Sequence, residues 1–195
     1  NNIMSTKSGL LVYNYLDMEL DVEQRNNIIE KILSSQFYDG RFVVGRKERE
    51  GTIIEDTYHG VLLLSELGEF EQYVKDIEGF YYLKTEEKKL EEYSIYDNFY
   101  LLALASYCDI EINRNDINQF FNRFYEYLNE AKMKNYEFII SVVETLSYWE
   151  YEFSEEYKYN LIMSTDDEKE KINNLTEFIS IYYKYVVYKA CEKEY

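Results

Sequence analysis

Two neighbouring stretches decide how the fold of this 195-residue chain is interpreted: residues 28–42 read IIEKILSSQFYDGRF, and residues 56–68 read DTYHGVLLLSELG. In both stretches apolar residues recur at spacings of three and four, which is the period of an amphipathic helix. Gly40 and Gly68 follow the apolar runs, at places where a helix end favours a residue in the left-handed conformation. The two stretches therefore predict a pair of helices, each ending near a glycine.

The same helical period continues over most of the chain, including residues 95–108, 115–131 and 167–192. The chain has no proline and only seven glycines, which disfavours a β-sandwich with many turns. A short strand is expected at most at Tyr81-Tyr82 or within residues 148–153. The sequence therefore predicts an all-α fold.

A weak repeat suggests how these helices are arranged. At offsets of roughly 40 to 50 residues, an apolar helix is followed by a polar link and a more charged helix. A single helical hairpin of this kind cannot bury its apolar face, so neighbouring hairpins are expected to stack. We predict one domain over residues 1–195, an array of about four helical hairpins that forms a partial α/α toroid or a curved helical solenoid. A fragment of a longer chain is the alternative.

Several helix starts are marked by a side chain that can accept a hydrogen bond from a backbone N–H three residues later. The pairs are Thr52 with Glu55, Ser94 with Asp97, Thr165 with Glu168 and, more weakly, Asp21 with Gln24.

The charge of the chain limits its partners. Lys and Arg number 21 and Asp and Glu number 38, which gives a formal net charge of −17. Such a surface repels nucleic-acid phosphates and anionic membranes, so a direct nucleic-acid interface is not expected and a basic protein partner is. No apolar run reaches the roughly 18 residues that a membrane span needs. We expect a cytoplasmic protein, with secretion as the alternative. Reduced thiols are expected at Cys108 and Cys191, with a single long-range disulfide between them as the alternative.

The two opening stretches resemble one repeat of the terpene cyclase and protein prenyltransferase β-subunit superfamily. The core of the resemblance is Gln36, Gly40 and Phe42, followed by the Thr57-Tyr58 pair that opens the second helix. In such a repeat we expect Gln36 to tie one helix end to its neighbour, Gly40 to permit a tight reversal and Phe42 to cover the joint. The resemblance implies an α/α toroid.

The catalytic residues of that superfamily do not carry over to this chain. The Asp-x-Asp-Asp acid of protonating cyclases is absent, and so is the Asp, Cys and His set with which protein prenyltransferases hold zinc. We therefore expect no enzyme of that chemistry and no cofactor.

Asp56 and His59 are the candidate catalytic pair, with Glu55 beside them. Their spacing of three places both on one face of a helix, where the acid can orient the imidazole for base catalysis or metal binding. The favoured alternative is a helix first turn rich in acids, with a histidine that simply packs.

Asp166, Asp167 and Glu170 are the candidate metal ligands. Their order resembles the acidic motif that holds magnesium and diphosphate in ionising terpene synthases. The favoured alternative is the acidic first turn of a helix that begins after Thr165.

A basic cluster lies between residues 38 and 51 of this acidic chain. Its members Arg41, Arg46, Lys47 and Arg49 are the predicted ligand-binding residues, suited to a diphosphate, a carboxylate or an acidic partner. Neutralisation of the protein's own acidic surface is the alternative.

The aromatic residues complete the functional hypotheses, since the chain has 23 Tyr and 11 Phe. They are expected in the core, in a protein interface or around an apolar ligand. The leading hypothesis is a non-catalytic helical scaffold that binds another protein on an aromatic-rich concave face. The alternatives are an isoprenoid- or lipid-binding protein, including a divergent prenyltransferase- or cyclase-like enzyme, and an acidic nucleic-acid mimic.

Overall fold

The structure, a computed structural model, describes Thr6, Leu10, residues 18–43, 53–130 and 135–145, and Trp149. Within these residues the chain is helical, and the predicted all-α fold is confirmed. Two short 3₁₀ turns at Glu71–Tyr73 and Leu90–Glu92 separate some of the α-helices. The α-helices of the described part are α1 (Val22–Leu33), α2 (Ile53–Glu66), α3 (Val74–Glu87), α4 (Ile95–Tyr107), α5 (Arg114–Glu130) and α6 (Tyr136–Thr145).

The chain divides into two compact units, Asn1–Ile112 and Asn113–Tyr195. In the first unit, α2 packs against α1 and α4, and α3 packs against α4. Helix α4 is buried over eight consecutive residues, from Asn98 to Ala105, and therefore on all sides of the helix, as expected at the centre of a packed array. The predicted single domain and its toroid or solenoid curvature stay predictions.

The second unit has an aromatic core. Along α5 the buried side chains recur at helical spacing, and they meet Trp149 and Phe138. The ring of Trp149 lies edge-on to those of Phe120 and Phe121, with centroids 5.8 Å away in each case. Arg114 donates a hydrogen bond to the backbone carbonyl of Trp149 at 2.9 Å. The buried residues of α5 are Ile117, Phe120, Phe121, Phe124 and Leu128.

The expected strand at Tyr81-Tyr82 is wrong, because both residues lie inside α3. Ile77, Phe80 and Tyr81 are buried at spacings of three and four, so the helical period accounts for this segment. The neighbouring Tyr82 points outward and is 52% exposed. Adjacent aromatic residues therefore occupy an inner and an outer face of one helix.

Two of the predicted helix starts are confirmed. At α1, the Asp21 carboxylate accepts from the Gln24 N–H at 2.8 Å, and the Gln24 side chain accepts from the Asp21 N–H at 3.2 Å. At α4, the Ser94 hydroxyl accepts from the Asp97 N–H at 3.0 Å. The starts predicted at Thr52 and Thr165 lie outside the described residues.

The end of α2 has the predicted glycine. Gly68 has φ +68°, and the N–H of Glu69 donates to the carbonyl of Leu64 at 2.8 Å, which is the Schellman arrangement. Among the helices of the described part, none is long and apolar enough to cross a bilayer.

Candidate functional site

The segment that follows α1 folds back on itself in a tight turn. Gln36 and Phe42 form an isolated antiparallel bridge, and the N–H of Phe37 donates to the carbonyl of Arg41 at 2.8 Å. The bridge holds residues 37–41 as a loop between two fixed points. We call residues 36–42 the bridged turn.

Gly40 is required at this turn for two reasons. Its φ of +85° is in the left-handed region, and an added Cβ would overlap the backbone oxygen of Asp76 at the start of α3. Helix α1 already ends at Leu33, so Gly40 does not end that helix as expected. It closes the bridged turn and lets the turn lie directly on α3.

Phe42 covers the joint between the bridged turn and α2, as predicted. Its side chain is fully buried, and an added Cβ at Gly60 would lie 2.7 Å from the ring. The N–H of Phe42 donates to the hydroxyl of Thr57 at 3.1 Å, and that hydroxyl donates to the carbonyl of Ile53 at 2.7 Å. The two sequence stretches that define the resemblance therefore pack against each other.

Gln36 contributes to the bridged turn through its backbone, in the bridge to Phe42, and not through its side chain as expected. Its side-chain nitrogen is buried and has no hydrogen-bond partner in the described part of the chain. The predicted side-chain tie from Gln36 to a neighbouring helix is therefore not formed among these residues.

The outer side of the bridged turn carries two exposed aromatic residues. Tyr38 is 95% exposed and Phe37 is 37% exposed. The guanidinium of Arg41 lies 4.8 Å from the centroid of the Phe37 ring, and its Nε is 3.1 Å from the carboxylate of Asp39. We call Phe37 and Tyr38 the aromatic edge.

His59 of the candidate catalytic pair lies in the core. It is 4% exposed, and its ring is 5.1 Å from the ring of Tyr58 and 5.8 Å from that of Tyr100, centroid to centroid. A carboxylate oxygen of Glu55, one turn earlier, is 4.0 Å from its Nε2. Asp56 is partly buried in the first turn of α2. These contacts favour the packed-histidine interpretation.

Metal binding finds no support in the described residues, which contain no group of three or more His, Cys, Asp or Glu placed to hold an ion. Of the predicted ligand-binding cluster, the structure describes only Arg41. The other predicted site residues, and Cys191, lie outside the described part: Arg46, Lys47, Arg49, Asp166, Asp167 and Glu170.

Beside Arg41 lies a cavity of about 510 Å³ in the first unit, which sequence reasoning did not find. Its walls come from the bridged turn, the start of α2, the end of α3, the segment after α3 and the first turn of α4. Residues so distant in sequence leave no local pattern that marks a site. The lining residues are Arg41, Ile53, Ile54, Lys84, Glu87, Lys88, Tyr93 and Asp97.

Tyr93 lines this cavity, and its phenol is uncharged at neutral pH. Burial, followed by the charges of Glu87, Asp97 and Glu92, raises the pKa of its phenol to about 12. Its hydroxyl donates to the backbone carbonyl of Lys84 at 2.8 Å, which fixes the ring against the end of α3.

Cys108 is a free, buried thiol at the end of α4. Burial, with smaller contributions from the charges of Glu78 and Asp109, raises the pKa of this thiol to about 12. The side chain therefore packs as a small apolar residue.

No protein-family model, curated protein or solved structure matches this chain.

Proposed function

We propose that this chain is a non-catalytic helical module that binds a basic segment of another protein, with the aromatic edge as its anchor. The observation that carries the proposal is the exposure of Tyr38, 95%, on a turn that is held at both ends. Large aromatic side chains dominate the binding energy of protein interfaces. A turn that is already ordered loses little conformational entropy on binding.

The charge around the aromatic edge supports a basic partner. The exposed Asp76 lies where Gly40 meets α3, whereas Asp39 of the bridged turn is already paired with Arg41. The chain as a whole carries −17. Complementary charge raises the association rate and excludes acidic competitors. The ring of Tyr38, once covered by the partner, supplies most of the affinity.

The positions of the other aromatic residues favour this proposal over an isoprenoid- or lipid-binding protein. Tyr58, Phe99 and Tyr100 pack on one another within the first unit, where all three are buried. None of these three rings lines the cavity beside Arg41, and their burial against one another leaves them little surface for a ligand. The isoprenoid-binding, prenyltransferase-like and nucleic-acid-mimic alternatives, and the concave aromatic face, stay predictions.

The test measures fluorescence anisotropy with labelled synthetic peptides that combine Lys or Arg with aliphatic residues. We expect saturable binding that weakens as salt is raised, because exposed charges are screened. Tyr38→Ser should weaken it by about tenfold or more, as for a central aromatic anchor. Tyr82→Ser is the matched control, since Tyr82 is also exposed but lies on α3.

Two results would overturn the proposal. One is the absence of saturable binding to every basic peptide tested. The other is an equal loss of affinity in Tyr38→Ser and Tyr82→Ser, which would mean that exposed tyrosines contribute without regard to position.

A further inference from the structure

The cavity beside the bridged turn gathers positive charge in an acidic protein. Arg41 comes from the bridged turn, Lys84 from the last turn of α3, and Lys88 from the residue that follows α3. Three of the eight lining residues are basic and two are acidic, in a chain that has only 21 basic residues against 38 acidic ones. Of the three cations, Arg41 is already paired with Asp39, its Nε lying 3.1 Å from that carboxylate.

The two carboxylates of the cavity wall are already engaged. Both oxygens of Glu87 accept from the Lys84 ammonium, at 2.8 and 3.0 Å. Asp97 accepts from the Ser94 hydroxyl at 2.8 Å, within the cap of α4. Lys84 and Glu87 therefore neutralise each other, and Asp97 is held by the cap of its own helix.

Lys88 differs from Lys84 in having no such counter-ion. Among the residues that the structure describes, no carboxylate lies within 4.0 Å of its ammonium. The ammonium lies 4.0 Å from the centroid of the Tyr93 ring and 3.4 Å from the carbonyl of Glu92. A ring face and a carbonyl orient a cation without neutralising it, so Lys88 retains its attraction for an anion.

The cavity also offers an apolar wall at its α2 side. Ile53 and Ile54 both line it, and each is less than a tenth exposed. A volume of about 510 Å³ lies within the range of sites that take small organic molecules. A bare inorganic ion would leave this apolar wall without a contact.

We propose that this cavity binds a small organic anion, with its carboxylate or phosphate paired to Lys88, Arg41 as a second cation, and its apolar part against Ile53 and Ile54. The site adjoins the aromatic edge through Arg41, whose guanidinium lies 4.8 Å from the Phe37 ring centroid, but it does not include Tyr38, on which the proposed partner binding depends. A carboxylate and a phosphate both pair with cations through charge-assisted hydrogen bonds, so the test includes one organic anion of each kind.

Isothermal titration calorimetry of the full chain with phenyl phosphate and with benzoate tests the proposal, and inorganic phosphate tests the need for the apolar part. We expect saturable binding of at least one organic anion and weaker binding of inorganic phosphate. Lys88→Gln should weaken binding of the organic anion about tenfold. The control is Lys89→Gln, which removes the same charge from the next residue, whose side chain is 78% exposed and does not line the cavity.

The outcomes separate clearly. Loss of affinity in Lys88→Gln but not in Lys89→Gln or Tyr38→Ser supports the site. Equal losses in the two lysine variants would show non-specific attraction and overturn it, as would the absence of saturable binding by either organic anion. Because Lys88 is exposed, its substitution should leave the fold intact, which circular dichroism checks.

Discussion

The ring of Phe42 lies so close to Gly60 that an added Cβ at position 60 would come within 2.7 Å of the ring carbon Cγ. Phe42 comes from the bridged turn, and Gly60 lies in the middle of α2. The missing side chain at Gly60 therefore makes room for the residue that covers the joint. This contact fixes where the bridged turn, and the aromatic edge on it, sit on the helices.

Gly60→Ala should destabilise the protein despite the higher helix propensity of alanine. The added methyl group overlaps a fully buried ring, and overpacking of this kind costs about 1–3 kcal/mol. The measurement is the free energy of unfolding from urea titration.

Gly79→Ala is the matched control for that change. Gly79 lies inside α3, and beyond its chain neighbours and the adjacent backbone of its own helix no atom lies within 4 Å of an added Cβ. The substitution should therefore stabilise by about 0.5–1 kcal/mol. Changes of the same sign in both variants would contradict the described contact between Phe42 and Gly60.

Thr57→Val should destabilise the joint between the bridged turn and α2 by removing a hydrogen bond. The variant keeps the shape of the side chain but leaves the N–H of Phe42 without its acceptor, at an expected cost of about 1–3 kcal/mol. Amide hydrogen exchange at Phe42 should also become faster. In Thr85→Val, where the lost hydroxyl donates only to carbonyls of its own helix, stability should change by less than about 0.5 kcal/mol. Unchanged exchange at Phe42 in Thr57→Val would argue against the bond.

Much of the fold could be predicted from the sequence because its determinants are local. Helical spacing predicts α1, α2, α4, α5 and α6, whereas α3 contains the segment where a strand was expected. The Ser94 cap is visible as a pair of residues three apart. The covering role of Phe42 followed from the resemblance of residues 28–68 to a known repeat. These features depend on neighbours along the chain, which a single sequence displays.

The features that the sequence did not predict depend on contacts between residues far apart in the chain. Lys84, Lys88 and Tyr93 carry no motif, and they line a cavity with Arg41 only because α3 and the bridged turn fold together. Gln36 has a side chain that could tie one helix end to its neighbour, but its side-chain nitrogen has no hydrogen-bond partner in the described part. Tyr81 and Tyr82 show strand propensity, yet the burial of Tyr81 with Ile77 keeps them helical.

Cys108 should resist alkylation in the folded protein. With a pKa of about 12 the thiol stays protonated at neutral pH, and the thiolate is the reactive form. Iodoacetamide labelling, read by mass spectrometry of the peptide that contains Cys108, should be slow in buffer and fast in urea. Equally fast labelling in both would contradict the burial of this side chain.

The raised pKa of the Cys108 thiol also makes the free energy of unfolding depend on pH. Between pH 9, the ordinary pKa of this thiol, and about 12, the unfolded chain loses the proton while the folded protein keeps it. The folded state then binds more protons, so the contribution of Cys108 to the free energy of unfolding falls as the pH rises. The stability advantage of the natural protein over Cys108→Ala should shrink across this range, whereas a constant difference would contradict the shift.

The most direct test of the proposed interaction is a two-dimensional NMR titration of the isotope-labelled chain with the basic peptide that binds most tightly. The account predicts that the largest chemical-shift changes fall on the amides of Phe37 to Arg41, with the exposed face of α3 around Tyr82 little changed. Shifts concentrated elsewhere, with the bridged turn unaffected, would contradict it.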